Sequence, residues 1–120
     1  MRRSEDRNDL QNRLFQFAVE VILSVRALPK GKEYDVINYQ VIKSATSCGA
    51  NYEEAQGAVS KADFANKIGI TLKEMRESNF WIRLIVAVTK ENKEWIILLN
   101  ESAELKKILG SIYTKVSIHR

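Results

Sequence analysis

Four basic side chains, Lys73, Arg76, Arg83 and Lys90, recur at steps of 3, 7 and 7 and so share one strip of any helix that carries them. Cations spaced along such a strip can each neutralise a phosphate, which gives a salt-dependent hold on nucleic acid. Lys106, Lys107 and Lys115 supply a second basic cluster further along the chain. Residues 61 to 90 carry six Lys or Arg against three Asp or Glu, so most of the formal net charge of +4 sits there. The opposing reading is a solvated helix face, because Glu74 and Glu77 are interspersed as ordinary i to i+3 and i+4 partners. The charge thus permits nucleic acid, RNA included, without demanding it.

A second set, Lys43, Ser47, Asn51 and Glu54, steps by 4, 4 and 3 and makes a polar line. Beside it Ser44, Gly49 and Ala50 are small enough to let another helix approach closely. Polar groups at such a contact must be hydrogen-bonded, at a cost of about 1–3 kcal/mol for each one left unsatisfied. The line is a network tying helices together, a wet surface, or the wall of a ligand groove.

Enzyme chemistry is disfavoured. The lone histidine, His119, lies in the C-terminal tail and cannot anchor a triad. One Cys and one His cannot build a zinc framework, which needs three or four clustered N or S ligands. There is no Glu-x-x-His pair of the kind that holds two metals inside a bundle. Glu53 and Glu54 diverge by about 100° on a helix, which is wrong for paired acid and base work. Gly31-Lys32 lacks the lead-in glycines and the following Ser or Thr of a phosphate loop and reads as a turn. No catalytic residue, metal ligand or cofactor is implied.

The elements that must position these residues are helices. Leu10, Leu14, Phe17, Val21, Val25 and Leu28 form one stripe, predicting a helix from about Asp9 to Leu28 that Pro29 stops. After a loop from Pro29 to Asp35, the stripe Ile37, Val41, Ala45, Cys48, Tyr52, Ala55, Val59 predicts a second helix ending near Gly57 to Val59. Ser60-Lys61-Ala62-Asp63 has the spacing of an N-capping box. Phe64, Ile68, Thr71, Met75, Ser78, Ile82, Ile85 and Thr89 then alternate steps of 4 and 3, predicting a helix from Lys61 to Lys90. It would be ~45 Å long at 1.5 Å per residue. Leu98, Ser102, Leu105, Leu109, Ile112 and Val116 predict a fourth helix from about Glu94 to Lys115. With 120 residues, 45% hydrophobic and 28% charged, the expectation is one soluble all-α domain. Short connections make its helices antiparallel neighbours in an up-and-down four-helix bundle. No run approaches a membrane span, the start lacks a signal-peptide apolar region, and the single Cys48 suits the reducing cytoplasm.

The third helix carries more apolar surface than its seam accounts for. Phe80, Trp81, Leu84, Val86, Ala87 and Val88 surround it, with only Arg83 interrupting. A helix apolar all round needs cover on every side, and the expected cover is another copy of the chain, with Phe80, Trp81, Leu84, Ala87 and Val88 at the contact. Trp95, Ile96, Ile97 and Leu99 extend the same argument into the fourth helix. The alternative is that these residues tuck under the connection between the two helices of one monomer. Three functions remain: RNA binding, a protein-interaction scaffold, and, least favoured, an enzyme using Asn51 and Glu54.

Several segments resemble the bacterial four-helix-bundle proteins known as 23S rRNA intervening-sequence proteins, also labelled S23 ribosomal proteins. They are Lys43-Ser44-Ala45-Thr46-Ser47-Cys48-Gly49-Ala50-Asn51-Tyr52-Glu53-Glu54-Ala55, Ser60-Lys61-Ala62-Asp63-Phe64, Leu72-Lys73-Glu74 and Trp81. The likeness extends weakly to Glu101, Glu104-Leu105 and Ile108-Leu109. The chain departs at Lys43, where the family often has Arg, and at Cys48, where it often has Ile. The resemblance implies an up-and-down bundle assembled as a homopentameric ring, without an assigned chemistry. Related bundles are accessory proteins of diversity-generating retroelements, which makes an accessory-subunit role the alternative to direct RNA binding.

Overall fold

The computed structural model describes the backbone of residues 2–118 and the side chains of residues 9–118, so His119 lies outside the described residues. Four helices, α1 (Arg2–Val25), α2 (Lys32–Ala55), α3 (Lys61–Val88) and α4 (Lys93–Ile118), account for the fold, and no strand occurs among the described residues. Each helix packs on its neighbours in the chain, and α1 meets α4 over a smaller area to close the circuit. Between α2 and α3 the contacts Tyr34–Val88, Ser44–Ser78, Cys48–Thr71 and Glu54–Lys67 pair rising with falling residue numbers. The expected stripes supply the core. Leu14, Val21, Val41, Cys48, Ile68, Met75, Ile82, Ile85, Leu105 and Leu109 are all buried. Val59 is the exception at 91% exposed, because α2 has already ended at Ala55 and the chain there belongs to the turn before Ser60.

The helix ends explain where the chain turns. Ser60 Oγ accepts from the Asp63 N–H at 3.0 Å, as a capping box requires, but the Asp63 carboxylate reaches the N–H of Val59 at 3.1 Å. Replacing an N-cap serine by alanine typically costs about 1 kcal/mol. α2 starts at Lys32, ahead of the expected loop end at Asp35. The reason is tertiary: Tyr34 is buried, and its hydroxyl lies 3.4 Å from the Val88 carbonyl and 3.2 Å from Thr89 Oγ1. The preceding Gly31 sits at φ 152°, a region closed to residues with a Cβ, so the Gly31-Lys32 pair is a turn device. Asn92 stitches the last connection, its Nδ2 donating to the carbonyls of Val86 at 2.9 Å and Thr89 at 3.1 Å.

The small residues of α2 do admit close helices. Ser44 is fully buried and its hydroxyl meets that of Ser78 on α3 at 2.8 Å. Gly49 faces α1, where a Cβ would stand 3.6 Å from the Leu14 carbonyl oxygen. Cys48 is sealed between α2 and α3, its Sγ 3.4 Å from the Thr71 carbonyl. Burial, with a smaller push from Glu74, raises its thiol to about 12, so at neutral pH it carries no nucleophilic thiolate.

Candidate nucleic-acid interface

The outward face of α3 carries the basic strip. Lys73, Arg76, Arg83 and Lys90 are all exposed. Among the described residues the ion pairs are Arg13–Glu101, Arg13–Glu104 and Glu54–Lys67, so no cation of the strip is neutralised. At 100° per residue, Arg76, Phe80, Arg83 and Ala87 fall within an arc of about 60°. The strip and the apolar patch read from the sequence are therefore one surface. Phe80 is 47% exposed, its ring 5.8 Å from the Arg83 guanidinium carbon and edge-on to Trp81 at 5.0 Å. Val88 is 52% exposed, while Trp81 and Leu84 are half-buried against the core.

Arg83 is anchored from below. Its Nε donates to Asn79 Oδ1 at 3.1 Å, Asn79 Nδ2 donates to Ser102 Oγ at 2.9 Å, and Ser102 Oγ donates to the Leu99 carbonyl at 2.9 Å. Asn79 and Ser102 are both buried, so a polar chain runs from the interior of the α3–α4 seam to a surface guanidinium. Ser102 lies on the core stripe expected for α4, whereas Asn79 lies off the stripe expected for α3. The signal was present in the heptad Ala65, Leu72, Asn79, which puts a second inner line on α3 facing α4.

Other expected residues are placed differently. Trp95 is 3% exposed and belongs to the core of the single chain. The expectation that it needs cover from another copy is corrected: the first turn of α4 faces inward there, and Ile96 and Ile97, at 45% and 63%, carry the exposed surface. Lys107 and Lys115 are exposed and Lys106 is half-buried. Lys106 and Lys115 are nine residues apart, which places them on opposite sides of α4, so the three do not form one cluster. The polar line on α2 is taken up locally. Asn51 Nδ2 donates to the Ser47 carbonyl at 2.8 Å and to Ser47 Oγ at 3.2 Å, Glu54 accepts from Lys67 at 3.0 Å, and Lys43 Nζ lies 6.0 Å from the Tyr39 ring. The Glu54 carboxylate raises the Lys67 ammonium above its ordinary value. Glu53 turns the other way and accepts from Gln11 on α1 at 2.6 Å, so the two adjacent carboxylates serve different helices.

Two features escaped the sequence reading. An apolar groove of about 550 Å³ lies between α1 and α2, walled by Phe15, Val19 and Ile22 and floored by Gly49 and Ala50, with Glu53 at its edge. Phe15 is 64% exposed. Residues 15, 19 and 22, at steps of 4 and 3, are legible as a second helical stripe beside Leu14, Phe17 and Val21. The other is Arg13, which crosses from α1 to α4. Its Nε and Nη2 grip Glu101 at 3.1 and 2.8 Å, and Nη2 also reaches Glu104 at 2.6 Å. The bond to Glu101, outweighing partial desolvation, raises the Arg13 guanidinium further above its ordinary value.

Among the described residues no three His, Cys, Asp or Glu side chains converge as a metal site would require, and no helix is long and apolar enough to cross a membrane. The family model for the 23S rRNA-intervening sequence protein matches residues 6–111. A crystal structure of a protein of unknown function from the S23 ribosomal protein family of Bacteroides thetaiotaomicron is similar at 33% identity and a TM-score of 0.80. The match covers 90% of this chain and 97% of that one. No curated protein matches.

Proposed function

The chain belongs to the 23S rRNA-intervening sequence protein family, and on that premise we propose that it is a non-enzymatic, self-assembling cytoplasmic bundle that binds RNA through the outer face of α3. The observation that carries the reading is the unpaired row Lys73, Arg76, Arg83 and Lys90, exposed along one side of a single rigid helix. Four exposed cations at heptad-like spacing offer phosphates a regular track, and copies of the chain multiply that field. An electrophoretic mobility-shift titration of the chain against RNA at two salt concentrations tests it. The expected result is binding at low salt that weakens steeply at high salt; unchanged RNA mobility at low salt rejects it.

Self-assembly in an up-and-down, ring-forming arrangement is the second half of the proposal, and the apolar groove between α1 and α2 supports it. A closed ring needs two different patches to meet, and Val88 and Ile96, on α3 and α4, offer exposed apolar side chains for the groove. This assigns assembly chiefly to α1 and α2 and leaves the Arg76–Arg83 stretch of α3 open to ligand. A measured particle mass of 13.8 kDa at high concentration rejects assembly. A protein-scaffold role in place of RNA binding is favoured by the same groove, and recovery of a protein partner without RNA distinguishes it.

A further inference from the structure

We infer that Phe80 and Arg83 together form a clamp for one unpaired nucleotide of single-stranded RNA, with Asn79 as the residue that positions Arg83. The inference rests on the RNA-binding reading above and specifies which RNA the α3 face takes. Most surface arginines sample many rotamers, but this one is held at Nε by a buried amide that is itself fixed by Ser102. The two terminal groups, Nη1 and Nη2, have no partner among the described residues and remain available as a fork for phosphate oxygens. Beside the fork stands Phe80, braced by Trp81, whose indole N–H donates to Glu77 at 3.3 Å. Nearly half of the Phe80 residue surface remains open.

A preorganised guanidinium next to a braced, exposed aromatic ring suits a base that can stack and a phosphate that can be gripped in the same step. Duplex RNA offers its phosphates but keeps its bases stacked on one another, so it engages Lys73, Arg76 and Arg83 and leaves the ring unused. A second copy of the chain fits this spot less well. Interface cores are depleted of charge, and covering Phe80 with apolar surface would also desolvate an Arg83 fork that has nothing to pair with.

Equilibrium titration of the assembled protein with an oligouridine and with an RNA duplex of the same length tests the clamp, using Phe80→Leu, Arg83→Lys, Asn79→Ala and the Asn79→Ala/Arg83→Lys double variant. Phe80→Leu and Arg83→Lys are expected to weaken oligouridine binding by about tenfold while duplex binding changes by less than about twofold. Asn79→Ala is expected to weaken oligouridine binding in the parent and to add nothing once Arg83 is Lys, a coupling that general destabilisation would not produce. Equal losses for both RNAs, or additive effects in the double variant, overturn the clamp and leave the basic strip standing. A parent protein that binds neither RNA overturns the RNA reading itself. Dissociation of the assembly by Phe80→Leu reassigns the ring to the contact between copies and also overturns the clamp.

Discussion

The outer faces of α1–α2 and of α3 both leave large apolar side chains in water, yet they differ in what surrounds them. In the groove, Phe15, Val19 and Ile22 stand over Gly49 and Ala50 with a single carboxylate at the rim. On α3, Phe80 stands among Lys73, Arg76 and Arg83, one of which is tied to the interior through Asn79. Apolar area with a small-residue floor favours a close-packed protein surface, because covering it desolvates almost nothing polar. Apolar area interleaved with unpaired cations favours a polyanion that brings its own flat, stackable groups. Exposed hydrophobicity alone therefore does not identify an interface; the neighbouring charges decide which kind.

The contrast can be broken most sharply at the groove. Ile22→Asp places a charge where the groove should close on a second copy, and the expected outcome is complete loss of assembly, read as a particle mass of 13.8 kDa by light scattering. RNA contacts of the isolated subunit should survive, whereas intact assembly would move the interface elsewhere. The reciprocal change, Lys73, Arg76 and Arg83 all replaced by Gln, should lower RNA affinity by about two orders of magnitude and flatten its log–log salt dependence by about 2. Particle mass should not change, and a dissociated product would show that the two faces are not separate.

A third perturbation acts beneath both faces. The folded Cys48 thiol keeps its proton to about 12, whereas its ordinary value is 9.0. Above pH 9 the unfolded chain therefore binds fewer protons than the folded one, and stability falls by about 1.4 kcal/mol per pH unit until the folded thiol itself ionises. Below pH 9 this contribution is constant. Denaturant unfolding followed from pH 8 to pH 11 should give that slope in the parent and a shallower one in Cys48→Ala, with assembly and RNA binding failing together as the seam loosens. The smallest change is Ser60→Ala. It should cost about 1 kcal/mol in chemical denaturation and leave both faces working, which separates loss of stability from loss of a surface.

The sequence carried the helices well because each core stripe is long and regular. Ile68, Thr71, Met75, Ser78, Ile82 and Ile85 are all buried, as their spacing predicts. It carried the ends less well. Lys32 joins α2 because Tyr34 docks on the far end of α3, a contact about which a local pattern says nothing. The exposed cations were legible, since charge at a fixed step needs only helix arithmetic. Trp95 is misplaced by the sequence because an apolar residue off the expected seam looks the same whether it faces solvent or the core of its own chain. The Asn79–Ser102 link was hidden for a similar reason: each residue alone resembles a tolerated polar substitution in a core, and only their separation of 2.9 Å reveals a pair.

The Arg13 latch has a mechanical consequence. α2, α3 and α4 share broad seams, but α1 meets α4 over a thinner contact whose ionic part is one guanidinium with partly exposed carboxylate partners. Under tension or mild denaturant the first helix should peel before the other three, and amide exchange from Leu10 to Val25 should outrun that from Ile68 to Ile85 if the hierarchy holds. Peeling would bare Leu14, Phe17 and Val21 and dismantle one wall of the groove at the same moment. A subunit that loosens this helix thus loses its means of joining others just as it becomes adhesive, which makes Arg13 a guard against disordered clumping as much as a brace.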